Sequence, residues 1–261
     1  MSKALRLSRI FRPDTGNTLI LPIDHGIAFG EVKGLENPIQ VIKELMSIDT
    51  DAVLITEGIA NQAERFFLGR NASARILTAD AFYGDSSTMY HEIISTPEGA
   101  VRKGYDCLKV MLFWDRPSKE RAKSVKIIAD LIREAEKVDL PVMVEPLTLD
   151  VVDDPEEKTV ILNDAVRIGY ELGADILKVP DPGNKETLRK WCENYNVPFV
   201  LLGGGASGGV EQLITMVGEA LSVGVRGVAI GRNVWQRPKD EAIKLLSTFA
   251  SIIHQKIRTE H

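Results

Sequence analysis

The chain has 261 residues, of which 44% are hydrophobic and 26% charged, enough to bury one barrel-sized core. Lys and Arg number 32 against 37 Asp and Glu, a slightly acidic balance that argues against a nucleic-acid partner, and no apolar run reaches membrane-spanning length. Cys107 and Cys192 are too few and too far apart for a disulfide framework or a cysteine metal site, so a reducing cytoplasm is the expected compartment.

Residues 1–17 are basic, carry no long apolar stretch of the signal-peptide kind, and read as an N-terminal extension. From Thr18 onward, short runs rich in Val, Ile and Leu alternate with longer amphipathic stretches, the pattern of repeated strand-helix units. Strands are predicted at 18–24, 52–57, 75–80, 107–114, 142–147, 176–180, 199–204 and 227–232. The clearest helices fall at 118–138, 158–172, 184–195, 209–223 and 238–256. The third unit is the weak one: between Asp80 and Cys107 only a short helix near 97–103 is expected, with the loop before it lying over the mouth. Eight such units without a linker, and without a G-x-G-x-x-G after the first strand, predict one (β/α)8 TIM barrel with parallel strands spanning the chain.

In such a barrel the C-terminal strand ends face the active site. Four charges stand out there. Asp24 ends the first strand, Lys109 lies within "DCLKVMLFWD", Glu145 within "VMVEPL" and Lys178 within "ILKVP". Alternation puts Asp24 on the face of Ile20 and Pro22, Lys109 on that of Cys107 and Met111, Glu145 on that of Met143, and Lys178 on that of Ile176. Taken singly, either lysine could snorkel from a strand end and Asp24 could cap a turn. Two lysines and a glutamate on three successive apolar strands instead form a buried charged cluster that packing alone does not explain. A lysine so placed, desolvated and beside a second cation, loses its proton more readily and becomes a nucleophile toward a carbonyl, with Glu145 and Asp24 as acid/base groups.

Strands seven and eight end in "LLGGGASGG" and "AIGRN". Glycine N–H groups followed by an arginine at the next strand end suit a phosphate, so Gly204, Gly205, Ser207 and Arg232 are its candidate partners. Glu57 and Asp80 are candidates for polar contacts in the mouth, Trp114 and Trp235 for the pocket wall or an oligomer contact, and Asp154 before Pro155 reads as a helix cap.

The segments "PIDHG", "GADILKV" and "IGRNVWQ" resemble the class I, Schiff-base aldolases that include archaeal-type fructose-bisphosphate aldolase, tagatose-bisphosphate aldolase and the deoxyribose-phosphate aldolase relatives. By that resemblance Lys178 matches the Schiff-base lysine, Asp24 the strand-one aspartate, and the glycine run with Gly231 and Arg232 the phosphate loop. Glu145 stands where the archaeal fructose-bisphosphate branch carries a tyrosine, and "K-V … E-P-L-T" is closer to the tagatose-bisphosphate and sulfosugar-phosphate branch, which covers Lys109 and Glu145.

The activity so implied is reversible aldol cleavage of a phosphorylated ketose to dihydroxyacetone phosphate and an aldehyde. Lys178 attacks the keto carbon, Lys109 lowers its pKa and orients the adduct, Glu145 moves protons and Asp24 holds a hydroxyl. No cofactor or metal is expected, because His25, His91, His254 and His261 form no ligand motif. His25 is a substrate contact or, preferably, a supporting or packing residue. The expected partner is a small phosphorylated sugar, with no nucleic acid and no membrane; a homo-oligomer follows from the resemblance alone. A Schiff-base transaldolase or thiolase-like transferase, and a sugar-phosphate-sensing barrel with little turnover, are the alternatives.

Overall fold

A computed structural model describes residues 1–46, 48–84, 88–148, 154–204 and 209–255. After helix α1 (Lys3–Ile10), the chain runs through β1 (Thr18–Pro22), α2 (Gly26–Phe29), α3 (Pro38–Leu45), β2 (Ala52–Ile55), α4 (Glu57–Gln62) and β3 (Ala74–Thr78). A hairpin, β4 (Asp80–Gly84) and β5 (Met89–Ile93), precedes α5 (Pro97–Arg102), β6 (Cys107–Phe113), α6 (Ser118–Glu136), β7 (Val142–Leu147), α7 (Pro155–Glu171) and β8 (Ile176–Val179). The chain then forms α8 (Lys185–Asn194), β9 (Phe199–Leu202), α9 (Val210–Ser222), β10 (Gly227–Ala229), α10 (Arg232–Trp235) and α11 (Lys239–Ile253). The eight parallel strands close in the order β1-β10-β9-β8-β7-β6-β3-β2. This is the predicted (β/α)8 TIM barrel. Among the described residues no helix is long and apolar enough to cross a membrane.

The period of two along each strand divides the core into two layers. Ile20, Leu54, Ile76, Cys107, Met143, Ile176, Val200 and Ala229 point into the barrel, while Leu19, Leu21, Val53, Leu77, Leu108, Val144 and Leu177 meet the helices outside. Each aliphatic side chain fully withdrawn from water contributes about 1.5–3 kcal/mol, which is why both faces of these strands are apolar. Asp154 caps α7 as its position before Pro155 predicts, accepting from the N–H groups of Glu156 (2.7 Å) and Glu157 (3.1 Å).

The N-terminal segment is more than an extension. Ile10, fully buried, joins the interior layer with Leu7 and Phe11 against it. Three aspartates that immediately precede strands hold it there. Asp51 accepts from Leu19 N (2.6 Å), Asp106 from Arg75 N (3.0 Å) and Asp175 from Val142 N (2.9 Å), and these same carboxylates meet Arg12 (2.5 Å), Arg9 (2.9 Å) and Lys3 (3.0 Å) respectively. The basic character of residues 1–17 is thus matched to the rim at the strand N-termini. His254, ending α11, reaches the same Asp51 at 3.0 Å.

The segment after β3 departs from expectation. Instead of an irregular loop, Asp80–Gly84 and Met89–Ile93 pair antiparallel, with Phe82 opposite His91 and Tyr83 opposite Tyr90. Its inner face packs on β6 through Phe82 (4.8 Å between rings) and His91 (5.6 Å) against Phe113. The Tyr83 hydroxyl donates to Ile27 O at 2.9 Å and ties the hairpin to the β1 loop.

Candidate active site

The strand C-terminal ends surround a cavity of about 340 Å³. Asp24, His25, Lys109, Glu145, Lys178, Gly204, Gly231 and Arg232, all singled out from the sequence, line it. Gly205 and Ser207, also expected there, lie outside the described residues.

Register fixes the heights of the charged side chains. Met143 pairs with both Ile176 and Lys109, and Met111 pairs with Glu145. Because the strands tilt, each step along the ladder also moves along the barrel axis, so Lys109 and Lys178, on alternate strands, start from one inward layer that they share with Leu54 and Ala229. Lys109 Nζ lies 3.5 Å from Asp24 Oδ2, 3.7 Å from Asp80 Oδ1 and 3.7 Å from Glu145 Oε2. Lys178 Nζ donates to Glu145 Oε1 at 2.6 Å. Glu145 thus offers one oxygen to each lysine. All of these groups are buried.

The electrostatics follow from the geometry. Burial alone would depress the Lys109 ammonium, but Asp80, Asp24 and Glu145 outweigh it and raise its pKa well above the ordinary lysine value. Burial likewise works against the Asp24 charge; Lys109, His25, Lys178 and the Thr78 hydroxyl, which donates to Oδ2 at 2.6 Å, hold the carboxyl below its usual range. Asp80 shows the same balance, with Lys109 first among its partners, then His91 at 2.8 Å and the Met111 N–H at 2.7 Å. Lys109 is accordingly a fixed cation held among carboxylates.

His25 is largely desolvated, which lowers its pKa; Lys178 and Arg232 push the same way against the pull of Asp24. Its Nδ1 is 3.7 Å from Asp24 Oδ1, and its ring stands edge-on to Trp235 at 5.3 Å. Trp235 is itself buried, with Nε1 donating to Pro22 O at 3.1 Å, so it backs His25 instead of lining the cavity. Trp114 also lies off the cavity wall, beneath the Arg121 guanidinium. Glu57 belongs to the first turn of α4, where it pairs with Lys103, away from the cavity.

On the opposite side the ends of β9 and β10 meet closely. A Cβ on Gly203 would lie 3.1 Å from the Ile230 side chain; one on Gly231 would lie 2.8 Å from Pro22 O at the end of β1, so only glycine allows that approach, and Gly204 has φ +63°, in the left-handed region. Asn233 Nδ2 donates to Gly203 O at 2.6 Å and locks the two strand ends together, while Arg232 remains exposed at the rim.

Asp80, expected from the sequence as a polar contact in the mouth, belongs to the cluster, and two residues that sequence reasoning left without a role complete it: Thr78 and His91. Thr78 and Asp80 share the inward face of "RILTAD", which was a usable signal; His91 reaches Asp80 only through the hairpin register.

A family model described as DeoC/LacD family aldolase matches residues 18–237. The chain is 30% identical to an uncharacterized aldolase of Saccharolobus solfataricus, the match covering 96% of this chain and 94% of that one. It is 29% identical to 2-amino-3,7-dideoxy-D-threo-hept-6-ulosonate synthase 1 of Archaeoglobus fulgidus, over 100% of this chain and 94% of the other. Among solved structures, a Schiff-base-forming fructose-1,6-bisphosphate aldolase superposes with a TM-score of 0.80 at 27% identity, covering 97% of this chain and 100% of its own. With its sequence matched by that family model and its fold by a Schiff-base-forming enzyme, this chain belongs to the DeoC/LacD family of aldolases.

Proposed function

We propose that the protein catalyses reversible aldol cleavage of a phosphorylated ketose through a Schiff base on Lys178, releasing dihydroxyacetone phosphate and an aldehyde. The observation that carries this reading is the 2.6 Å contact of Lys178 Nζ with Glu145 Oε1 at the cavity floor, next to a second lysine already bound up with three carboxylates.

Glu145 is placed to take the ammonium proton of Lys178 and return it to the carbinolamine hydroxyl, which leaves as water. The resulting iminium draws electrons from the carbon–carbon bond as the substrate hydroxyl loses its proton, and the aldehyde departs. The enamine then takes up a proton, and water hydrolyses the imine. Asp24, held ionised by Lys109 and Thr78, accepts a hydrogen bond from a substrate hydroxyl, and Lys109 supplies a constant positive charge beside the reacting carbons. Gly204, Gly231 and Arg232 receive the phosphate across the cavity.

The test is reductive trapping. Borohydride added with dihydroxyacetone phosphate should fix a mass adduct on Lys178, located by peptide mass spectrometry. An adduct on Lys109 would reverse the two lysine roles, and no adduct with any phosphorylated ketose would end the Schiff-base reading. The likeness to a heptulosonate synthase favours a second reading, in which the same imine joins two carbonyl compounds in the synthetic direction.

A further inference from the structure

The two sides of the cavity differ in chemistry. Around the closed ring, β10 stands across from β6 and β9 across from β3. The β9–β10 side offers Gly203, Gly204, Gly231 and the Arg232 guanidinium. Facing it, β6 contributes Met111, the hairpin that follows β3 contributes Phe82, and Phe29 meets Phe82 edge-on at 6.3 Å. This wall is apolar. Of the cationic side chains lining the cavity among the described residues, Lys109 is engaged by three carboxylates and Lys178 by Glu145, so Arg232 is the group left for an anion. The segments that continue the chain after Gly84 and Thr148 read Asp-Ser-Ser at 85–87 and Leu-Asp-Val-Val-Asp at 149–153, with three acids and no Lys or Arg.

Resting on the aldolase reading above, we propose that the substrate carries a single phosphate, and that the bond is made to an uncharged aldehyde whose tail lies against Phe29, Phe82 and Met111. A second phosphate on the aldehyde half would bring roughly −1.5 to −2 charges onto this wall. It would lose hydration there without meeting a cation. An apolar or lightly hydroxylated tail instead gains contact area on two aromatic rings. In the synthetic direction the enamine carbon on Lys178 attacks the aldehyde carbon, the new C–C bond closes, and the former carbonyl oxygen takes a proton from Glu145. Water then hydrolyses the imine and frees the amine.

The experiment uses the full chain with dihydroxyacetone phosphate as donor and three acceptors: glyceraldehyde and glyceraldehyde 3-phosphate, which differ by the phosphate alone, and propanal. Borohydride trapping of the donor on Lys178 is run in parallel. The expected kcat/KM for glyceraldehyde exceeds that for its 3-phosphate by about tenfold or more, with propanal accepted as well. Phe29→Arg, at a position 64% exposed and therefore safe for folding, should shift the ratio toward the phosphorylated acceptor by about tenfold, as should Phe82→Arg. Equal or better use of glyceraldehyde 3-phosphate by the wild type overturns the inference, as does a ratio that neither arginine moves, while donor trapping on Lys178 still stands. Absence of donor trapping is a separate result; it removes the Schiff-base reading, and the inference with it.

Discussion

Replacing Lys109 by methionine keeps most of the side-chain volume and removes one charge from the base of the cavity. At 3.5–3.7 Å, each of its contacts with Asp24, Asp80 and Glu145 is worth about 4–5 kcal/mol of gross attraction at an effective dielectric of about 20. Most of that attraction offsets desolvation. Removing the cation alone leaves carboxylates buried and uncompensated, a change that typically costs about 3–5 kcal/mol at neutral pH. The signature is its pH dependence. In the wild type, Asp24 and Asp80 titrate below the ordinary aspartate value, so their contribution is fully present above about pH 5 and is lost as pH falls through their depressed folded-state pKa values. In Lys109→Met the carboxylates repel one another and their folded-state pKa values should rise above the unfolded ones. The variant should then gain stability as pH falls from 8 to 5, while the wild type stays level over that window. Urea denaturation at four pH values reads both trends. A variant less than 1 kcal/mol weaker than wild type, with a flat profile, would refute the claim that Lys109 compensates the three acids.

Asp80→Asn keeps the shape of the side chain while removing one of the charges around Lys109; kcat should fall about tenfold or more, with trapping on Lys178 retained, as measured by steady-state kinetics and mass spectrometry. Arg232→Gln should raise KM for a phosphorylated ketose by about ten- to a hundredfold with kcat little changed, since the guanidinium binds a group that does not react. Ile10→Ala should lower the unfolding free energy by about 2–4 kcal/mol in urea melts, because this fully buried side chain seals the interior layer.

The barrel was legible because its strands carry apolar residues on both faces and its longer helices an amphipathic stripe. The four inward charges were legible for the same reason: Asp24, Lys109, Glu145 and Lys178 interrupt apolar runs in phase with inward residues. The hairpin was not. Its outer face carries Tyr83 and Tyr90, both more than half exposed, so the aromatic residues give no alternation of apolar and polar. The role of residues 1–17 was hidden for a different reason. The partners of Lys3, Arg9 and Arg12 are aspartates lying 39 to 172 residues away in the chain, which only ring closure gathers onto one rim.

Their carboxylate partners separate two lysines that look alike in sequence. Each sits in a short apolar strand with an inward neighbour two residues earlier. The Lys109 ammonium lies 3.5–3.7 Å from Asp24, Asp80 and Glu145, its side chain 3% exposed and its positive charge held in place. Lys178, from the same inward layer, has its side chain 9% exposed, with one carboxylate at hydrogen-bond distance and the cavity before it. A nucleophile must shed a proton and reach a ligand. An ammonium stabilised by three acids meets a larger cost on losing its proton than one paired to a single acid that is itself a proton acceptor. That difference, set by how many carboxylates surround each ammonium, supports assigning imine formation to Lys178 and electrostatic support to Lys109.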